Sequence, residues 1–432
     1  MKVVNSSKIT PFGGLNFVLS EFENKNVGSL INHHLPAFAP QSQYSWKDVF
    51  YSLWSVLFCG GDCAEDLSIN FKPSFENNPF MRLPSPDRVL ERMKELAVKK
   101  KIFTTERGKS THEFCINEPL NLLNIKTLKR IGALNNKTHY TLDYDNTYIF
   151  SDKEDTRNTY LKQYGYSPGV GFIGKQVVFL ENRNGNTDAQ TLQQDTLKRM
   201  FSMLKQQGIS IDKFRADSAS YQHSTLSVIT NNVNTFYIRA RMTEPVAEVI
   251  NKIDDWKIVT IDGQEALRAS INYTPFKKIA KSLKQEDSSV TCRLVVTKKK
   301  RVDGQLNMFT GEASIYSAIL TNDFMMTDDQ IVIFYNQRGA IEREFDVLKN
   351  DFAWDKMPFS KIEQNTVFLI ITAMCRNLYE YIITSFSRIY KHLSPSFRLK
   401  KFIFRFICIP AKWIKSARGR KLRLYGMLQC RT

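Results

Sequence analysis

Apolar residues recur at helical spacing over roughly the first 125 positions and again beyond 327, while period-two alternation is concentrated between them. Ser45 stands where a helix N-cap belongs before WKDVFYSLWSVLFC, a run that stops at Gly60-Gly61. Ser85 followed by Pro86 opens a second helix, PDRVLERMKELAVKKK. THYTLDYDNTYIF (138–150) alternates instead, with Tyr140, Leu142 and Tyr144 on one strand face and Thr141, Asp143 and Asp145 on the other. Two carboxylates therefore share a face. VGFIGKQVVFLENR (170–183) predicts one or two further strands before the turn NGNTD. The amphipathic helix AQTLQQDTLKRMFSMLKQQG follows and closes at Gly208, and ISIDKFRADSASYQ reads as a strand running into a polar turn at Asp217.

From 223 to 312 the pattern loosens into short β segments (TFYIRARM, WKIVTI, ASINYT, VTCRLVVT) and the basic turn KKKRVDGQ, as expected of a β-rich insertion. IYSAILTN supplies another strand. Thr327 and Gln330 make a capping-box signal for the next helix, and Ser360 with Glu363 repeats it for a long helix after that. Within the first of these, YNQRGAIEREFDVLKNDF (335–352), projection at about 100° per residue gathers Tyr335, Arg338, Glu342 and Lys349 into a sector of about 60°. Phe334, Ile341, Phe345 and Leu348 form the adjacent apolar sector. Taken alone, the helix is explained by solvation and an i,i+4 pair between Arg338 and Glu342.

Charge changes that picture. The 432 residues, enough for more than one structural unit, carry 61 Lys and Arg against 43 Asp and Glu, a formal +18. From Arg388 to Arg431 there are thirteen Lys or Arg and no acid, interleaved with Phe, Trp and Tyr. Such a stretch suits a polyanion, since Lys and Arg replace counterions on phosphate while aromatic rings pack or stack. The seven scattered cysteines read as reduced, cytosolic thiols, and the lone close pair, Cys59 and Cys63, lacks a second ligand pair for zinc. The apolar run 367–375 is too short to span a bilayer, so no membrane is expected. Gly169-Val-Gly171-Phe-Ile-Gly174 satisfies a dinucleotide fingerprint only as a string, because it continues as a strand. Trp256 is read as packing rather than as a base-stacking group.

Strand carboxylates, a second Asp after a later strand and a Glu on a late helix are what two-metal phosphoryl transfer requires. Like charges brought together repel unless divalent cations bridge them, and Mg²⁺ needs few protein ligands because water and phosphate complete its octahedron. Asp145, Asp217 and Glu342 are the candidates, 72 and 125 residues apart, the longer gap holding the insertion. In a chain with 43 acids, their placement on strands and helix carries more weight than spacing.

Tyr335-x2-Arg338-x3-Glu342-x6-Lys349 resembles, without a gap, the tyrosine-arginine-glutamate-lysine signature of bacterial insertion-sequence DDE transposases. LDYDNT around Asp145, RNGNT at 183–187 and RADSAS around Asp217 look most like the insertion sequence thirteen-eighty family within that group. The resemblance implies an α/β fold with a ribonuclease H-like core interrupted by a β-rich insertion. It divides the chain into a helical DNA-binding or dimerisation region (1–125), the core's first part (126–222), the insertion (223–312), the core's second part (313–385) and a basic DNA-binding tail (386–432). It implies Asp145, Asp217 and Glu342 as catalytic ligands of Mg²⁺, with Mn²⁺ as a substitute. Arg338 and Lys349 would clamp DNA phosphates, with Tyr335 bonding a neighbouring one. It further implies a cytoplasmic, nucleoid-associated enzyme that binds transposon ends and target as double-stranded DNA and assembles as a homodimer or larger synaptic complex. Asp143 shares the parity of Asp145, and Asp145 is preferred because the related proteins place a Thr shortly after the Asp. Asp346 falls outside the signature and is read as solvated or salt-bridged. A structure-specific nuclease and a non-catalytic DNA-binding descendant are the rival readings.

Overall fold

In a computed structural model, residues 8–430 are described except 77, 106–109, 262, 284–289, 302, 417–418, 427 and 429. Arg418 and Arg431 of the basic tail lie outside the described residues. The architecture is mixed α/β. Eleven described strands form one sheet: β1 (Lys101–Thr104), β2 (Thr111–Cys115), β3 (His139–Asn146), β4 (Gly169–Ile173), β5 (Gln176–Arg183), β6 (Ser210–Ala216), β7 (Thr235–Ala240), β8 (Lys257–Ile261), β9 (Gln264–Tyr273), β10 (Cys292–Lys300) and β11 (Ser314–Thr321). Their order is β1-β2-β5-β4-β3-β6-β7-β11-β10-β9-β8, with β3, β6 and β7 parallel at the centre and antiparallel meanders on both sides.

The helices that matter below are α1 (Leu15–Asn24), α2 (Val27–His34), α3 (Trp46–Phe58), α4 (Pro86–Glu95), α5 (Glu118–Arg130), α6 (Gln193–Gln206), α7 (His223–Thr230), α8 (Asp328–Asn336), α9 (Ala340–Asp351) and α10 (Ile362–Ile389). Ser45 and Asp48 form the reciprocal capping box of α3, and Thr327 and Gln330 that of α8. Ser360 does not cap α10. The helix starts after Lys361, and Asp155, far away in sequence, accepts the Ile362 N–H at 2.9 Å.

α10 is long and apolar enough to cross a bilayer by length and composition, yet 89 % of that window is buried inside the protein. It is the central core helix, packed against β5, α3, α4 and α5. Buried polar groups tie it to its neighbours: Asn377 bonds both the N–H and the C=O of Val177, and the Ile371 carbonyl accepts from Trp54 Nε1 at 3.0 Å. The N-terminal helices thus share one hydrophobic core with the sheet.

β7 lies inside 223–312, yet it pairs in parallel with β6, so the central sheet continues past 223. β8, β9 and β10 then extend that same sheet through β11. The segment 169–174 is strand and turn, and packing sets two of its glycines: a Cβ on Gly169 would lie 2.1 Å from the Tyr144 hydroxyl, and one on Gly171 2.5 Å from Met200 Sδ, while Gly174 takes the positive φ of the turn. Trp256 donates to the Ile253 carbonyl at 2.9 Å and carries Lys298 over its ring.

Candidate active site

Strand parity becomes geometry at the C-terminal ends of β3 and β6. The two run parallel, with Asp143 opposite Arg215 and Tyr144 opposite Ala216. The next residues along, Asp145 and Asp217, therefore stand side by side on strands about 4.8 Å apart. Phe345 of α9 meets Phe172, the cross-strand partner of Asp143, so α9 covers the face to which Asp143 and Asp145 point; Met200 of α6 covers the opposite face at Gly171.

The two carboxylates of β3 have different neighbours. Asp143 is buried and accepts a fork from Arg215, 2.6 Å from Nε and 2.7 Å from Nη2. Arg215 also donates to the Phe334 carbonyl at 2.6 Å and lies over the Phe334 ring. Burial pushes the Asp143 carboxyl up, and Arg215 pulls it back. Asp143 is thus committed to a structural ion pair. Asp145 takes 2.9 Å from the Asn146 N–H and 2.8 Å from Arg338 Nη1. Burial drives its carboxyl up to about 6, with the charge of Asp217 adding and that of Arg338 opposing. Burial alone would lower the Arg338 guanidinium; Asp145, then Tyr335 and Asp217, outweigh it and hold it above its ordinary value. Asp217 caps the short helical turn 218–220 by accepting from Ala219 N at 3.0 Å.

The stretch 335–352 is not one continuous α-helix: a 3₁₀ turn at Gln337–Gly339 separates α8 from α9. Tyr335 lies before it, buried, and its hydroxyl donates to the Ala216 carbonyl at 3.3 Å. A phosphate contact would require it to leave that position. Glu342 is exposed on the first turn of α9, with no hydrogen bond or ion pair to a described residue. Its carboxylate does not join those of Asp145 and Asp217 in a compact cluster; among the described residues, the one group of three potential ligands within 4.8 Å of one another is Asp62, Cys63 and Asp66. Lys349, half-buried, has its ammonium lowered by burial, with Asp346 and Asp355 opposing. Asp346 is salt-bridged to Arg398 at 2.6 Å.

Two arginines escaped the sequence reading. Arg215 is the partner that separates Asp143 from Asp145. Arg239 of β7 sits in the electrostatic field of the Tyr335 phenol, and its guanidinium makes no hydrogen bond or ion pair to a described residue. Arg239 and Arg241 in TFYIRARM share strand parity, which was a legible signal. The RNGNT segment lies beneath the site: Arg183, fully buried, donates to Thr196 Oγ1 at 2.6 Å and to the Tyr144 hydroxyl at 3.2 Å.

A family model described as transposase DDE domain, group 1, matches residues 44–429. The chain belongs to that family. No functionally curated protein matches it. A piggyBac transposase, solved by cryo-EM as a synaptic complex with hairpin DNA, is 12 % identical and aligns over 93 % of this chain and 82 % of that one, with a TM-score of 0.43. Membership in the DDE transposases implies metal-dependent DNA cleavage and transfer. The donor chemistry of this DDE transposase fits a divalent cation at Asp145 and Asp217: two adjacent carboxylates, one of them raised by burial and by its neighbour's charge, gain most from a shared positive ion.

Proposed function

We propose that the chain is a metal-dependent DNA transposase of the insertion sequence thirteen-eighty type with a ribonuclease H-like core. It binds the terminal inverted repeats of its element, cleaves the phosphodiester at the ends and joins the freed 3′-hydroxyl to target DNA within a homodimer or larger synaptic complex. Asp145, Asp217 and Glu342 would hold Mg²⁺, or Mn²⁺ in its stead, which when bound would supply activation of the attacking oxygen and stabilisation of the leaving one. Arg338 and Lys349 serve as phosphate contacts, and Tyr335 positions the end of β6 beside Asp217 through the Ala216 carbonyl.

The observation that carries this reading is the meeting of Asp145 and Asp217 at adjacent parallel strand ends with Arg338, one helical turn before Glu342, bonded to Asp145. Open α/β sheets gather their chemistry at such ends. The test is Mg²⁺-dependent cleavage and joining of a fragment carrying the element's own ends, comparing the native chain with Asp217→Ala and Glu342→Ala. Both variants should bind the ends and neither should cut. Cutting that survives either substitution removes that residue from the site.

A further inference from the structure

Residues 411–416 and 419–424 pair as an antiparallel ribbon in which Lys412 faces Arg423 and Lys415 faces Arg420. Like charges directly opposed across a ladder destabilise it. Nothing nearby in sequence offsets them, because Asp and Glu are absent from 388 to 432. None of these four cations, nor Lys421, forms an ion pair with a described residue, whereas Arg398 just upstream is held by Asp346 and Asp351.

The ribbon keeps its shape because its other face is anchored. Ala411, Trp413, Leu422 and Leu424 share that face with the Lys415–Arg420 rung at its far end, while Lys412, Lys421 and Arg423 share the opposite one with Ile414. Thr10 and Ala411 exchange backbone bonds of 2.9 and 2.8 Å, Trp413 Nε1 donates to Asn16 Oδ1 at 3.2 Å, and the Trp413 ring meets Phe80 edge-on. These anchors lie in the N-terminal layer, not on the strands that carry Asp145 and Asp217. Along residues 412–415 runs a cleft of about 650 Å³ whose lining includes Lys8, Lys412, Lys415 and Arg420 and no carboxylate.

We infer that this ribbon and cleft form a clamp for the sugar-phosphate backbone of duplex DNA, distinct from the catalytic centre. The choice of DNA as the polyanion rests on the transposase reading; the cation geometry does not. A two-stranded ribbon is narrow enough for the major groove, about 12 Å wide. Phosphates along the groove relieve the repulsion at the Lys412–Arg423 rung on the open face, and released counterions supply sequence-independent affinity.

The test uses the full chain in EDTA with a labelled duplex lacking any transposon end, its binding followed by fluorescence anisotropy across a salt series. Removing three phosphate contacts with Lys412→Ala/Lys421→Ala/Arg423→Ala should lower the slope of log K against log salt by about 2–3. The charge-keeping Lys412→Arg/Lys421→Arg variant should retain the native slope. Relief of like-charge repulsion should leave the alanine variant melting no lower than the native chain. An unchanged slope in the folded alanine variant overturns the clamp. So does intact duplex binding accompanied by loss of binding to phosphatidylserine vesicles, which would assign the ribbon to a membrane surface. Because the assay contains no metal, a failure of the catalytic triad would leave it unaffected.

Discussion

Replacing Arg215 by Met leaves the Asp143 carboxylate in the core without a partner. The guanidinium is 9 % exposed and the carboxylate 4 %, so solvent screening gives little relief. Truncating one member of such a pair costs about 3–5 kcal/mol. Losing the bond to the Phe334 carbonyl adds about 1 kcal/mol. Against a total stability of roughly 5–15 kcal/mol, the single variant should unfold at markedly lower denaturant. Substituting both partners, Arg215→Met with Asp143→Leu, removes the uncompensated charge and should recover most of the loss, to within about 1 kcal/mol of the native chain. Tryptophan fluorescence across a guanidinium series reads the midpoints, and Mg²⁺-dependent cleavage is measured on the same preparations. The double variant should still cut, because Asp143 is assigned to the ion pair and Asp145 to the metal. A single variant as stable as the native chain would refute the energetics. A double variant that folds but does not cut would return Asp143 to the metal site.

Other perturbations test neighbouring parts. Arg338→Ala unpairs Asp145 and removes a phosphate contact, so single-turnover cleavage should fall further than in Arg338→Lys, which keeps the charge but loses the planar fork; equal rates in the two would sink that role. Asp217→Ala should slow cleavage by more than about 100-fold, since loss of a group merely supporting a metal ligand costs 10–100-fold. His112 is buried against Thr187 Oγ1 and its imidazole is lowered, chiefly by burial. The unfolded chain therefore binds the extra proton first, and this contribution to stability is present above the ordinary histidine value and is lost as pH falls below it. His112→Asn should flatten that acid-side decline in melting temperature. A Cβ at Gly14 would lie 2.0 Å from the Phe406 carbonyl oxygen, so Gly14→Ala should loosen the tail and speed trypsin cleavage at Lys400 and Lys401, read by mass spectrometry.

What was legible in the sequence was local. Strand parity placed Asp143 and Asp145 on one face because alternation depends only on the pleat. The caps at Ser45, Ser85 and Thr327 were legible because their partners lie three residues away. What was not legible rests on long-range partners. Asp155 took the N-terminus of α10 from Ser360. β8 to β10 joined the central sheet because β11 pairs with β7 on one side and β10 on the other, a choice that no window of twenty residues contains. Parity could not separate Asp143 from Asp145 for the same reason: the arginine that distinguishes them lies 72 residues on.

The same arginine bears on the shape of the helix that carries the glutamate. In a continuous α-helix the Phe334 carbonyl would accept the N–H of Arg338; here Arg215 donates to that carbonyl, and the turn that follows is 3₁₀. Side chains inserted into the ladder are a recognised cause of such breaks, and Gly339 gives the turn little helical preference to overcome. A 3₁₀ turn advances about 120° per residue against about 100° for an α-helix, so three residues add a rotation of about 60°. Tyr335, upstream, is left facing the core, and Glu342, downstream, is turned out to solvent. Arg338 lies within the turn and reaches Asp145. Glu342 and Lys349, seven residues apart on one unbroken helix, remain on a single line. The signature is therefore two short stripes offset by the turn, and the ion pair that sequesters Asp143 helps set that offset.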